Sequence, residues 1–261
     1  MTSESAPPTR TLLRGLRLLE ALADMDEPTG VTELARHVEL DKATVSRLLR
    51  TLVDAGYAAK DPKGRYRIAS KILRLSDGFA PHRPFLDAAM PHLRRIRDQT
   101  NETTHLGQME NDQVVYVEKL DSMQSIRLTS AIGQTNPLHT TALGKAILAA
   151  KPLDERTKIV ERLRLEVKQP NSIRDPSELL ADLDRTSSRG YSIDDCENEE
   201  NVTCIGAAIE VDGEVLGAVS VAGPSFRIKP DLETYSKIVV EAAHEIGVEE
   251  GKRPKNRRTK A

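Results

Sequence analysis

Residues 41–56, DKATVSRLLRTLVDAG, decide the fold of the first part of the chain. Their apolar residues recur at positions i, i+3, i+4 and i+7, namely Val45, Leu48, Leu49 and Leu52. This spacing predicts a helix with one buried stripe. Asp41 is a suitable N-cap, because its carboxylate can accept hydrogen bonds from the free N–H groups of the first turn. Gly56 is suited to the left-handed conformation that ends many helices.

The neighbouring segments extend this helix into a recognisable motif. A short helix over about Thr32–Val38 precedes it, with Thr32 as the predicted N-cap. An earlier amphipathic helix, about Thr11–Met25, is predicted to bury Leu12, Leu13, Leu16, Leu19, Leu22 and Ala23. After the 41–56 helix, two short strands, Tyr57–Lys60 and Arg65–Ile68, surround a loop that contains Pro62 and Gly64. The order helix, helix, turn, helix, hairpin is that of a winged helix-turn-helix.

The face opposite the buried stripe carries cations and hydroxyls, as a helix that enters a DNA major groove requires. The residues predicted to contact DNA are Lys42, Thr44, Ser46, Arg47, Arg50, Lys63 and Arg65. The first four lie near the start of the helix and are assigned to base edges. The last three are assigned to phosphates. The predicted partner is therefore double-stranded operator DNA.

The distribution of charge supports this assignment. Residues 36–74 hold ten Lys and Arg against four acids, whereas residues 81–251 hold 19 basic and 29 acidic residues. A basic segment on an acidic body is typical of a DNA-binding module joined to a sensor. The acidic body disfavours a nonspecific DNA-organising protein, and the 3% aromatic content disfavours an RNA-binding sheet built on stacked aromatics.

Beyond the hairpin, the pattern predicts an α+β domain with a mostly antiparallel sheet. Its predicted helices cover about Pro84–Gln99, His139–Ala150, Leu153–Leu165, Pro176–Arg189 and Asp231–Ile246. Its predicted strands cover 105–109, 114–118, Ser125–Thr129, Asn201–Val211 and Glu214–Ala222. The predicted boundaries are a disordered leader (1–10), a winged helix-turn-helix (11–70), a linker helix (71–82), the α+β domain (83–250) and a basic tail (251–261).

Several classes of protein are disfavoured by composition. No apolar run approaches the roughly 20 residues that span a bilayer, and the first residues lack the apolar core of a signal peptide. We therefore expect a cytoplasmic protein with no membrane partner. Cys196 and Cys204 alone provide no disulfide framework, and the six His show no metal-ligand spacing. We expect no metal and no cofactor.

Specific motifs resemble those of a known family. RGL (14–16), VTELAR (31–36), ATVSRLLRTL (43–52) and GY (56–57) resemble the DNA-binding domain of IclR-type transcriptional regulators. The likeness continues through VVYVE (114–118), PLHTTALGKAILA (137–149), RGY (189–191), CIGAAI (204–209) and VSVAGP (219–224). It spans about residues 11–248 in the family's order. The chain departs from the family at Glu39, where a Gly is usual, so the turn is expected either to have a different geometry or to hold Glu39 in a left-handed conformation at some cost.

The resemblance implies a GAF-like second domain that binds a small effector, and homodimers that can pair into tetramers. It also implies regulation as a repressor, an activator or both, with repression slightly favoured. Carried over from the family pattern, the effector-binding residues are Leu128, Asn136, Ala142, Leu143, Asp194, Val202, Cys204, Ser220 and Ala222.

The residues themselves support part of that pocket. Small side chains at Ala142, Gly144 and Ala146 are expected to bring a helix N-terminus close to a ligand carboxylate, so an organic acid or a related catabolite is the expected effector. Ala222 stands where family members that bind short organic acids tend to have a hydroxyl, which suggests a somewhat more apolar ligand. Asp194 has an alternative role, which is to cap a turn or to pair with Arg189. Cys204, in an apolar strand, is also typical of a small core residue.

An enzyme is the main alternative. Cys204 or Ser220 would be the nucleophile of a small-molecule hydrolase, and His139 or His105 would be its base. No nucleophile-elbow motif surrounds either candidate, and His139 is expected to be structural. The prediction is therefore a non-enzymatic regulator without catalytic residues.

Overall fold

The computed structural model describes residues 9–76 and 83–253, and the chain divides into two units, residues 1–80 and 81–261. The described part of the first unit consists of α1 (Arg10–Ala23), α2 (Val31–His37), α3 (Lys42–Asp54), β1 (Ala58–Lys60), β2 (Tyr66–Ile68), a 3-10 turn (Ser70–Ile72) and α4 (Leu73–Ser76). Most of the predicted leader and tail, and residues 77–82 of the predicted linker, lie outside the described residues.

The described part of the second unit begins with α5 and a pair of long strands. Its elements are α5 (Arg83–Thr100), β3 (Thr103–Glu110), β4 (Gln113–Leu120), β5 (Thr135–Pro137), α6 (Ala142–Ala150), α7 (Leu153–Arg162), α8 (Pro176–Arg189), β6 (Ser192–Asp195), β7 (Val202–Val211), β8 (Glu214–Pro224), α9 (Ser225–Ile228) and α10 (Leu232–Gly251).

The first unit is the predicted winged helix-turn-helix. Its core is formed by Leu18, Ala21, Leu22, Leu34, Ala35, Val45, Leu49, Ala58 and Tyr66. Asp41 accepts a hydrogen bond from the Thr44 backbone N–H at 2.8 Å, which confirms it as the N-cap of α3. Strands β1 and β2 pair antiparallel, with Lys60 opposite Tyr66, and form the predicted wing.

Helix α1 uses a different stripe from the predicted one. Leu18 and Leu22 face the core, whereas Leu12, Leu13 and Leu16 are exposed, so their predicted burial is wrong. Leucines surround much of this helix, and the apolar period alone therefore selected the wrong side. The predicted cap of α2 is also wrong, because the helix begins one residue earlier, after Gly30.

Helices α2 and α3 end in the same way with different residues. After α3, the Gly56 N–H donates to the Val53 carbonyl and the Tyr57 N–H to the Leu52 carbonyl, with Gly56 at φ +80°. After α2, the corresponding bonds run from Glu39 to Arg36 and from Leu40 to Ala35. Both are Schellman endings. Glu39 has φ +53°, so the expected left-handed conformation is confirmed.

The second unit contains one six-stranded sheet in the order β5-β4-β3-β8-β7-β6, and every pairing is antiparallel. This confirms the predicted α+β class. The predicted strand Ser125–Thr129 is wrong, because these residues have no regular secondary structure. The sequence analysis missed β5 and β6, which lie at the two edges. They are only three and four residues long, and β5 ends in Pro137, a residue that edge strands tolerate.

Helices cover both faces of this sheet. Helices α5 and α10 share one core with it, and α6, α7 and α8 share the other. Successive side chains of β8 point to opposite faces of the sheet. Val219 and Val221 therefore face α5 and α10, whereas Ala218 faces the α6 side. Ser220 and Ala222 continue the Ala218 face toward α6.

Helix α6 lies very close to its neighbours, which explains its small residues. A Cβ atom on Gly144 would lie 2.3 Å from the Leu138 carbonyl oxygen, and one on Gly206 would lie 2.9 Å from the Ala142 backbone. The expectation that Gly144 makes room for a ligand is therefore wrong, because its space is taken by the Leu138 backbone. The helix also begins at Ala142 and not at His139, after the N-cap Thr141.

No helix in the described ranges 9–76 and 83–253 is long and apolar enough to cross a membrane.

Candidate DNA-binding surface and ligand cavity

The outer face of α3 presents the predicted DNA contacts together. Lys42, Arg47 and Arg50 are exposed, and Thr44 and Ser46 are half-buried at the edges of the same face. Val45 and Leu49, on the opposite face, are fully buried. The helix is thus fixed by its apolar side and offers three cations and two hydroxyls to a groove.

The start of α3 is organised by its cap. Hydrogen bonds from the side chain and the backbone of Thr44 lower the pKa of Asp41. The carboxylate therefore stays ionised at the positive end of the helix dipole. Arg47 Nη2 lies 3.4 Å from Thr44 Oγ1, so these two predicted base contacts are already adjacent.

The wing places Lys63 and Arg65 differently. Lys63 is exposed in the hairpin loop, which closes through Gly64 at φ +80°. Arg65 is half-buried, and its Nε atom donates to Asp61 Oδ2 at 3.0 Å. The Arg65 backbone N–H also donates to Asp61, and these contacts lower the pKa of the Asp61 carboxyl. Arg65 is therefore tied to the loop, whereas Lys63 is the more freely presented cation.

The second unit contains a partly open cavity of about 40 Å³ between α6, the sheet and the 128–136 segment. All nine residues carried over from the family pattern line it: Leu128, Asn136, Ala142, Leu143, Asp194, Val202, Cys204, Ser220 and Ala222. Further lining residues are His105, Tyr116, Thr129, Ser130, Gln134, Thr141, Asn198 and Glu199. The volume holds about three water-sized groups, so the cavity in this form suits a compact ligand.

Strand register brings several missed residues to this cavity. His105 pairs with Ser220 across β3 and β8, and Asp194 pairs with Cys204 across β6 and β7. The sequence does not show that β3 lies beside β8, so it could not indicate that His105 lies next to Ser220 in the cavity. Asn198 and Glu199 follow Asp194 in one acidic turn, and that proximity was a usable signal.

Asp194 is the most unusual group in the cavity. It is almost fully buried, and its Oδ1 atom accepts from the backbone N–H groups of Glu197 at 2.8 Å and Asn198 at 3.3 Å. It therefore caps a turn. The alternative pairing with Arg189 is wrong, since that guanidinium donates to the Tyr191 carbonyl and the Thr186 hydroxyl. Burial and the charge of Glu197 raise the pKa of Asp194 to about 7.

A buried lysine lies behind this turn. Lys145 Nζ contacts Glu197 Oε1 at 2.6 Å and Asp182 Oδ2 at 3.0 Å, and its side chain is 1% exposed. Burial raises the pKa of Glu197, although Lys145 opposes that shift. Lys145 therefore joins α6 to α8 and to the turn that carries Asp194.

Asn136 offers a directed donor. Its Oδ1 atom accepts from Lys168 Nζ at 3.3 Å and from Asn198 Nδ2 at 3.4 Å. Its Nδ2 atom is buried and has no partner at good hydrogen-bonding geometry in the described part of the chain, although the Asn136 amide is close enough to the Tyr116 hydroxyl to lower the pKa of that phenol against the larger effect of burial. A buried unpaired donor is costly, so this nitrogen is suited to an acceptor atom of a ligand.

The candidate nucleophiles of the enzyme alternative are not activated. Burial raises the pKa of Cys204 well above its usual value, and burial together with Lys119 lowers the pKa of His105 to about 3. His105 Nε2 is engaged with Ser130 Oγ at 2.8 Å. His139 contacts the Glu166 carbonyl oxygen instead, at 3.0 Å. A protonated thiol and a very weak base are poor components for nucleophilic catalysis.

No cluster of three or more His, Cys, Asp or Glu side chains with metal-binding geometry occurs among residues 9–76 and 83–253. A winged helix-turn-helix with a cationic outer helix, in one chain with a partly open polar cavity, is the arrangement expected of a ligand-responsive DNA-binding transcription regulator.

Family models refine this class. The model of the IclR helix-turn-helix domain matches residues 11–62, and that of the bacterial transcriptional regulator IclR C-terminal domain matches residues 80–248. The chain belongs to the IclR family of transcriptional regulators.

Individual relatives agree with this assignment. The HTH-type transcriptional regulator KdgR of Escherichia coli K12 is 32% identical over 244 residues, which cover 92% of each chain. The transcriptional repressor IclR of the same organism is 29% identical over 250 residues, 94% of this chain and 91% of its own. The crystal structure of the Thermotoga maritima IclR has a TM-score of 0.77 at 29% identity, and covers 93% of this chain and 99% of that one.

Proposed function

We propose that this protein binds a specific operator through α3 and the wing, and that a small organic acid in the cavity of the second unit controls its affinity for that operator. The observation that carries the proposal is the outer face of α3, where Lys42, Arg47 and Arg50 are exposed beside two hydroxyls on a firmly packed helix. Short polar and long cationic side chains are the usual readers of base edges and phosphates.

Each predicted contact has a separate role in this proposal. Thr44, Ser46 and Arg47, assisted by Lys42, contact base edges, because they occupy the first two turns of α3. Arg50 lies further along the helix and contacts phosphate, as do Lys63 and Arg65 in the wing. Because Asp61 already holds Arg65, we expect Lys63 to contribute more to the phosphate contacts than Arg65.

The function is tested by an electrophoretic mobility shift with the DNA upstream of the protein's own gene. We expect a complex that unlabelled upstream DNA competes away and that unrelated DNA of the same length does not. Arg47→Ala should weaken the complex by about 1–3 kcal/mol and relax the preference for the upstream sequence. The matched control is Arg164→Ala, whose side chain is 91% exposed in the second unit and should not matter. Equal competition by unrelated DNA would contradict a specific regulator.

The organic acid assignment rests on the donors of the cavity. Asn136 Nδ2 and the first turn of α6, at Ala142 and Leu143, face it. The N–H groups of a helix's first turn lack intrahelical acceptors and favour negative charge. A thermal-shift screen of small metabolites at 10 mM should find acids that raise the melting temperature of the full chain, because a ligand bound only by the native state stabilises it.

Repression is the proposed direction of control, and a homodimer is the proposed unit that binds DNA, with tetramers formed from paired dimers. A two-fold dimer reads two half-sites about one helical turn apart. The relatives named as repressors support the direction. An acid found in the screen should release the upstream DNA. If it tightens the complex instead, the sign of control is reversed while the operator function stands.

A further inference from the structure

We propose that the cavity binds a small monocarboxylate together with one proton, which Asp194 carries on Oδ2 and donates to the ligand, while Asn136 Nδ2 supplies a second donor. This inference rests on the proposed effector function of the same cavity. It makes ligand control of DNA binding sensitive to pH.

The charged side chains that line the cavity are acidic. Among the described residues that line the cavity, the formally charged groups are acids, Asp194 and Glu199, and no Lys or Arg is present. Glu199 is exposed and meets solvent, whereas Asp194 is 2% exposed. An anionic ligand beside an ionised Asp194 would place two like charges in a water-poor space, which is strongly unfavourable. Proton uptake by Asp194 removes this repulsion.

Asp194 has few cations near it. The charged and titratable groups that surround it from the packed elements are Asp195 of β6, Glu197 and Glu199 of the following turn, Lys145 of α6, Cys204 of β7, His105 of β3 and Tyr116 of β4. Lys145 is committed to Glu197 and Asp182 at 2.6 and 3.0 Å. The Lys145 ammonium therefore acts on three carboxyls, Asp182, Asp194 and Glu197, and Asp194 is the one that forms no direct ion pair with it.

The two oxygens of the Asp194 carboxyl differ in their surroundings. Both backbone N–H donors, from Glu197 and Asn198, fall on Oδ1. That oxygen is therefore fixed as an acceptor, and we assign the proton to Oδ2; the Cys204 thiol also hydrogen-bonds with this carboxyl. A protonated Oδ2 donates one hydrogen bond, and a ligand carboxylate is a better acceptor for it than water.

The orientation of the Asn136 amide is fixed by its neighbours. Lys168 and Asn198 both donate to its Oδ1, which fixes the amide with Nδ2 as the remaining group. Nδ2 is buried and forms no hydrogen bond of good geometry among the described residues, with the Tyr116 hydroxyl as a nearby competing acceptor, and Asn136 lines the same cavity as Asp194. Two donors that line one space for a few heavy atoms, both beside Asn198, match the two oxygens of a carboxylate.

The pKa of Asp194 sets how strongly the dissociation constant of the acid depends on pH. Burial raises the pKa of Asp194 to about 7 in the free protein. If only the protonated form binds the acid, the dissociation constant is nearly flat below pH 6 and rises about tenfold per unit above pH 7. Between pH 6 and pH 8.5 we expect a rise of about 30-fold. A neutral, non-titrating ligand that instead donates to an ionised Asp194 would show the opposite slope.

The test uses acetate, propionate and lactate, with acetamide, propionamide and lactamide as neutral counterparts, on the full chain at pH 6 and pH 8.5. Thermal shift gives the apparent affinity, and calorimetry in two buffers of different ionisation heat gives the number of protons taken up. We expect at least one acid to bind at pH 6 and to lose about 30-fold at pH 8.5, with nearly one proton taken up at the higher pH. The amides should vary far less, because an amide can accept from the protonated carboxyl or donate to the ionised one.

Two variants separate the mechanism from simple damage. Asp194→Asn keeps the shape and supplies a donor without titrating, so it should bind the acid as tightly as the wild type at pH 6 and within about threefold of that at pH 8.5. Glu199→Gln removes the other acid of the wall and should keep the 30-fold change. If Asp194→Asn proves unstable, the proton count of the wild-type chain decides alone.

The outcomes distinguish this inference from the function on which it rests. An acid that binds equally at both pH values without proton uptake, or a 30-fold change that survives in Asp194→Asn, overturns the inference while ligand control stands. Binding of amides with no acid bound at pH 6 also overturns it. If no probe binds and no metabolite releases the upstream DNA, the effector function fails as well.

Discussion

The left-handed Glu39 between α2 and α3 allows a prediction whose sign is unusual for a glycine substitution. Glu39 occupies φ +53° because the Schellman ending of α2 requires that conformation. A non-glycine residue there costs about 1–2 kcal/mol. Glycine avoids that cost, although its freer unfolded chain costs about 0.5–1 kcal/mol. Glu39→Gly should therefore stabilise the first unit by about 0.5–1 kcal/mol.

The assay is differential scanning calorimetry of the full chain, in which the transition of the first unit should rise by about 4 °C for a unit of this size. Two controls isolate the backbone effect. Glu39→Gln removes the charge and keeps the strain, so it should change little. Glu33→Gly replaces an exposed glutamate within α2 and should destabilise by about 1 kcal/mol. A loss of stability in Glu39→Gly equal to that in Glu33→Gly would show that the left-handed backbone at Glu39 carries no strain that glycine relieves.

Three further outcomes follow from the second unit. Lys145→Met leaves two buried carboxylates without their ammonium, and should cost about 3–5 kcal/mol in urea denaturation; a smaller loss than 1 kcal/mol contradicts a buried ion pair. Gly144→Ala would push a methyl group against the Leu138 backbone, and should lower the melting temperature by more than Ala146→Gly does. The folded pKa of Asp194 lies above its unfolded value of about 3.8, so the unliganded second unit should lose stability as pH rises from about 4 to about 7. Calorimetry at pH 5 and pH 8 should show this loss in the wild type and a smaller one in Asp194→Asn.

The elements that the sequence predicted best are those with a local signature. Helix α3 has an apolar stripe, a carboxylate cap and a terminal glycine, and each of these acts within a few residues. The wing likewise depends on a short loop with Pro62 and Gly64. Such features are decided by neighbours in sequence, and the structure agrees with them.

The errors occurred where distant contacts decide the outcome. Helix α1 has leucines on several sides, and only packing against α2 and α3 selects Leu18 and Leu22 for the core. Strand β6 has the polar sequence SIDD and becomes a strand because β7 pairs with it. No local pattern predicts such a strand.

The cavity shows the same division. The family pattern located nine of its lining residues, whereas the residues themselves indicated only small and polar groups near a helix start. His105 and Tyr116 reach it through strand register, with ring centroids 4.5 Å apart. The raised pKa of Asp194 depends on its burial and on the charge of Glu197, and the burial is not visible before the fold is known.

Methylation interference on the upstream DNA, with the full chain as the binding protein, tests whether α3 reads the operator through the major groove. Methylation at guanine N7 marks the major groove, and methylation at adenine N3 marks the minor groove. If α3 reads the operator with Thr44, Ser46 and Arg47, methylated guanine N7 should block binding in two clusters about one helical turn, or a whole number of turns, apart. Interference at adenine N3 alone, with guanine N7 methylation tolerated throughout, would show that α3 does not read the operator in the major groove.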